Sequence, residues 1–115
     1  MRDESADRIQ RRLADLAEFV REAEYLTSKG REAYLADSME GALLRNAGER
    51  ILIKVATVAE KLPQGFKDAH PEVDWQGIHR MRNLVAHHYD RVSHDLVWVA
   101  LTARIPGLGT TLAQA

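Results

Sequence analysis

From Ile9 to Leu26 the apolar residues Ile9, Leu13, Leu16, Val20, Ala23 and Leu26 return at alternating steps of four and three. That spacing draws one apolar stripe along an α-helix and is incompatible with the two-residue period of a half-buried strand. It predicts a first helix over residues 5–29. Gly30 stands just beyond Lys29, where a residue that readily takes positive φ ends a helix. A second series, Tyr34, Leu35, Met39, Leu43, Ala47, Ile51, Val55, Val58 and Leu62, keeps helical spacing as far as Pro63. Asp37 or Ser38 is placed to cap it, so a short turn followed by a long helix is expected.

Pro63, Gly65 and Pro71 punctuate residues 63–74 too densely for a continuous helix, and we read a connecting loop with room for one turn over residues 66–70. Asp74 is the expected N-cap of a helix that starts at Trp75, turns Ile78, Met81 and Val85 inward and ends near His88 or Tyr89. Ser93 caps a last helix whose apolar residues are Leu96, Val97, Val99, Ala100 and Ala103. Pro106 and Gly107 are read as ending it. Residues 107–115 are then a tail, frayed or lightly docked through Leu108 and Leu112, behind a single domain over residues 1–106. No segment carries sustained strand alternation and no repeat of fixed period is present. The expected fold is all-α, an up-and-down bundle of about four to five helices.

A chain of 115 residues supplies one hydrophobic core and hardly a second. The absence of cysteine removes disulfides, thiolate nucleophiles and cysteine-based zinc sites, so packing has to hold the fold. Charge begins at Arg2 and Asp3 instead of giving way to the apolar run of a signal peptide. No stretch reads as the roughly 20 apolar residues needed to cross a bilayer. A cytoplasmic protein without a membrane role is expected. The formal net charge of −1 rules out a globally basic nucleic-acid binder, so any affinity for RNA must be local.

One stretch is locally basic. Between Trp75 and His94, Arg80, Arg82 and Arg91 outweigh Asp90, and His79, His87, His88 and His94 lie among them. Guanidinium groups clamp phosphate oxygens, and an imidazole that titrates near neutrality moves protons, so the patch suits phosphoryl transfer. RNA brings its own nucleophile: a base takes the proton of the 2′-hydroxyl, the oxygen attacks the adjacent phosphorus, and a 2′,3′-cyclic phosphate is left. His87 is the candidate base, or the acid that serves the leaving oxygen, and Arg82 the stabiliser of charge. Asn83 and His87 are four apart and share a helix face. Arg82 and His87 are five apart and diverge on a regular helix. Either the helix loosens before His87 or a second subunit contributes.

Arg82, four intervening residues, His87, one residue and Tyr89 match the R-x4-H-x-Y signature of HEPN domains, and the sequence specifically resembles the HepT toxin branch. Asp74-Trp75 ahead of the motif helix, Met81-Arg82-Asn83 leading into it, Gly48-Glu49 in the long helix and Trp98 after it extend the resemblance over about residues 5–106. The resemblance implies a homodimer in which the Arg and His of each subunit face a shared cleft, and cutting of RNA without a metal or other cofactor. It makes Arg82 and His87 catalytic and Asn83 a positioning residue. It also implies a toxin–antitoxin pair in which a small nucleotidyltransferase antitoxin transfers adenylyl groups from ATP to Tyr89.

Other readings stand beside these. An Arg and a His near a helix C-terminus are common surface cations, and Tyr89 is also an ordinary amphipathic residue. His88 adds a second imidazole beside the signature, but adjacent histidines on a helix point apart and no carboxylate set completes a metal site. Glu49, preceded by Gly48, is the outside candidate for a carboxylate that orients Arg82, with a solvated helix face as the alternative. The rival to a ribonuclease is a non-catalytic HEPN binding subunit that docks a nucleotidyltransferase or a nucleotide.

Overall fold

The computed structural model describes residues 4–87 and 92–113. Helix α1 spans Glu4–Thr27 and is followed by the single turn-and-a-half of α2, Arg31–Leu35. Helices α3, Met39–Glu60, and α4, Gln64–Asp68, precede α5, Trp75–His87. The chain returns at α6, His94–Val99, runs through a π-helical turn, Ala100–Arg104, and ends in α7, Ile105–Ala113. The described residues contain no strand, and the expected all-α bundle is what the chain forms.

The helix boundaries follow from the capping chemistry. Gly30, φ 93°, separates α1 from α2, a backbone conformation that costs a glycine nothing. The Ser38 hydroxyl accepts the Gly41 N–H at 3.0 Å at the start of α3, which resolves the choice between Asp37 and Ser38. Asp74 Oδ1 accepts the Gly77 N–H at 2.9 Å, and Ser93 Oγ accepts from Leu96. Because Asp74 caps the helix that carries the motif, Asp74→Ala is expected to destabilise the fold by about 1 kcal/mol. A lowered urea midpoint with an unchanged slope is the check.

Four of the six predicted stripe residues of α1, Leu16, Val20, Ala23 and Leu26, are buried. They meet Ile51, Leu52 and Val55 of α3 and Leu101, Ile105, Leu108 and Leu112 of the last helical run in one core. Lys54 Nζ donates to Glu22 at 2.7 Å across the α1–α3 seam. Arg45 Nη1 donates to the carbonyls of Tyr34 and Ala36 at 2.9 and 2.8 Å and fixes the elbow between α2 and α3. Trp75 Nε1 donates to the Lys67 and His70 carbonyls, which holds α4 over the start of α5. Residues 64–68, inside the expected loop, form that short helix because Pro63 can open it without losing a hydrogen bond.

Two expectations need correction. Met39 and Leu43, assigned to the buried stripe of α3, are 76% and 60% exposed. The early part of α3 is instead buried along Gly41 and Gly48. A Cβ at Gly48 would come within 2.7 Å of Leu101 and 3.0 Å of the Tyr34 hydroxyl, so absent side chains, not apolar ones, mark the inner face there. Nor do Pro106 and Gly107 end the last helix. The chain stays helical from His94 to Ala113, and Leu108 and Leu112 are buried. Pro106 lies in the first turn of α7, directly after the π turn, and a widened turn accommodates a ring that a regular helix interior would exclude. By length and composition this run could cross a membrane, but Val97, Leu101, Ile105, Leu108 and Leu112 are buried in the core, against α1 and α3.

Candidate functional site

Helix α5 is unbroken from Trp75 to His87. Of the inward face expected for it, Val85 is buried, while Ile78 and Met81 are half-buried and packed on the core. The remaining surface bears a column of polar residues at four-residue spacing, His79, Asn83 and His87, with Arg82 one step to the side.

Three of these residues and one carboxylate of α3 form a ring of contacts. Arg82 Nη1 donates to Asn83 Oδ1 at 3.1 Å. Asn83 Nδ2 lies 3.2 Å from His79 Nε2, and His79 Nδ1 lies 2.6 Å from Glu60 Oε1. The same Glu60 oxygen stands 3.7 Å from Arg82 Nη1 and closes the ring. The Arg82 side chain is 29% exposed and that of Glu60 34%, so the pair sits at a rim where its charges remain open to solvent.

His87 is exposed at the C-terminal end of α5, where the helix dipole favours a cation. With no break in the helix between them, Arg82 and His87 are separated by about 140° around the axis. The loosening considered before His87 therefore does not occur. Tyr89 and His88 lie outside the described residues.

Glu49 occupies a different neighbourhood. Partial burial pushes its carboxyl up, while His94 and Arg45 hold it down. Burial also pushes the Tyr34 phenol up, assisted by the Glu49 charge. The Tyr34 ring packs against Trp98 with centroids 5.1 Å apart and planes tilted by 41°, and its hydroxyl has no hydrogen-bond partner among the described residues. Glu49 thus belongs with Arg45 and His94, while the carboxylate beside Arg82 is Glu60. Sequence reading missed Glu60: it sits 19 residues before His79, and only the fold brings the two together. The four-residue step from His79 to Asn83 was the one local signal available.

Comparison with known proteins bears on the whole arrangement. A family model described as "Ribonuclease HepT-like" matches residues 4–115. The "Probable ribonuclease HepT" of Thermococcus cleftensis is 30% identical over 96 residues, 84% of either chain. A Methanocaldococcus jannaschii protein named "Putative RNase" is 28% identical over 57 residues, half of this chain and 47% of the relative, so that match spans about half the relative's length. No solved structure matches significantly. The family match takes in the last helix as well as the motif, and the chain belongs to the HepT-like ribonuclease family.

Proposed function

We propose that this protein is a metal-independent endoribonuclease toxin that works as a homodimer, with Arg82 and His87 as catalytic residues. The observation that carries the reading is the divergence of those two side chains on an unbroken helix. Side chains that point about 140° apart are poorly placed to meet one phosphate within a subunit, and in a homodimer a second copy of α5 would supply each with its missing partner. Met39 and Leu43 on α3, and Leu96 and Val99 on α6, which packs against it, are exposed. Covering such apolar surface favours association.

In the reaction the base removes the ribose 2′-hydroxyl proton, O2′ attacks phosphorus, and the bond from phosphorus to the 5′ oxygen breaks. That oxygen takes a proton, and the upstream strand keeps a 2′,3′-cyclic phosphate. His87 serves one of the two proton transfers. Arg82 neutralises the charge that builds on the phosphoryl oxygens.

In the same reading the protein is cytoplasmic and is restrained by a nucleotidyltransferase antitoxin that adenylylates Tyr89. Such AMPylation places bulk and a negative phosphate where RNA phosphate would dock. Expression in a bacterial host is expected to slow growth, and co-expression of the cognate transferase to restore it with Tyr89 adenylylated. Mass spectrometry of the co-expressed protein reads the modification. Restored growth with Tyr89 untouched, or loss of restoration failing to follow Tyr89→Phe, would contradict the switch.

A further inference from the structure

The ring of contacts around Arg82 has a direction. A guanidinium has donors only, so the Asn83 atom at 3.1 Å from Arg82 Nη1 must be the acceptor oxygen. The other end of that amide is then the NH2 group, and it faces His79 Nε2 at 3.2 Å. Nε2 must therefore offer its lone pair, which puts the single proton of a neutral imidazole on Nδ1. Nδ1–H in turn points at the Glu60 carboxylate 2.6 Å away. Each donor is fixed by its neighbour, from the carboxylate on α3 to the guanidinium on α5.

Resting on the ribonuclease reading above, we propose that Glu60 and His79 are positioning residues: they lock the Asn83 amide, and through it Arg82, in the orientation that meets the scissile phosphate. His79 acts through its tautomer and touches no substrate. Glu60 acts twice, as acceptor for His79 Nδ1–H and as the anion 3.7 Å from Arg82 Nη1. A side chain as long as arginine samples many rotamers when free, so a tether at Nη1 removes conformational entropy that substrate binding would otherwise have to remove. Protonated His79 would present a second donor to the Asn83 NH2 group and break the link. The charged groups that share this surface are Glu60 from α3, Lys67 and Asp68 from α4, and Arg80 and Arg82 on α5 itself.

Two measurements on the full-length protein decide the matter. Nitrogen-15 NMR of the imidazoles at pH 8 should show His79 as the Nδ1–H tautomer, and Asn83→Ala and Glu60→Gln should each shift it toward the Nε2–H form that free histidine prefers. The Nε2–H tautomer in the wild type would overturn the chain of hydrogen bonds whether or not the protein cuts RNA. In steady-state cleavage, His79→Ala should lower kcat about tenfold or more with KM little changed, since a misplaced catalytic group costs turnover more than affinity. In an Arg82→Lys background the same change should cost little further, because its effect runs through Arg82. His79→Ala turnover equal to wild type, or a full additional loss in the Arg82→Lys background, would overturn the positioning role. Intact RNA with the wild type would instead sink the ribonuclease reading and the catalytic meaning of the ring along with it.

Discussion

Arg82→Ala should reduce RNA cleavage by roughly 10²- to 10³-fold, and His87→Ala by about 10²- to 10⁴-fold, while both proteins remain folded. On the proposed mechanism the effects are large because each variant removes a preorganised group that acts on charge or protons in the transition state. The fold survives because His87 is exposed and Arg82 contributes no side chain to the core. Growth of a bacterial host expressing each variant is a parallel readout, and equal toxicity from wild type and both variants would remove the assignment. The pair of variants also tests where the site is assembled. If the site is shared as proposed, neither homodimer would have a complete one, but in a mixed dimer the intact Arg82 of one subunit would meet the intact His87 of the other. Random mixing by unfolding and refolding should therefore recover about a quarter of the wild-type rate if the site is shared across a two-fold axis. No recovery would place Arg82 and His87 in separate steps or in one subunit.

Leu101→Ala should destabilise the fold by about 2–5 kcal/mol. Leu101 has no exposure to solvent. It lies in the π turn of the last helical run and sits against Gly48 of α3, in the core shared with α1. Its loss opens a cavity that three helices would have to close together. Equilibrium unfolding in urea measures the cost, and a loss below about 1 kcal/mol would mean that the run from His94 to Ala113 is not seated as described. The pairing with Gly48 gives an internal control. Gly48→Ala alone should destabilise, since its Cβ would come within 2.7 Å of Leu101. In the Leu101→Ala background that penalty should shrink, because the methyl group moves into the space left behind.

How far the sequence foretold this molecule depended on which physical signal was local. The stripe from Leu16 to Leu26 and the caps at Ser38, Asp74 and Ser93 lie within a few residues of what they control, and each stands where the spacing predicted. The early part of α3 could not be read in the same way. Its inner face is made by Gly41 and Gly48 against Ala36, Tyr34 and Leu101, and close approach of a backbone leaves no hydrophobic trace in a sequence. Pro106 and Gly107 misled for a related reason: a π turn one step earlier changes what a proline can tolerate, and nothing local announces that turn. At the candidate site, the spacing of Arg82, Asn83 and His87 was legible as a helical pattern. The partnership of Arg82 with Glu60 was not, because it depends on how α3 and α5 pack. Glu49, the carboxylate singled out beside Gly48, instead shares its surroundings with Arg45 and His94.

The decisive experiment is cleavage of total RNA and tRNA by the purified, unmodified protein in EDTA, beside His87→Ala, with the product ends identified. Cleavage by the wild type alone, leaving 2′,3′-cyclic phosphates, is the predicted result. Intact RNA in both reactions, or cleavage that only added metal restores, would contradict it and favour a HEPN subunit that binds without cutting.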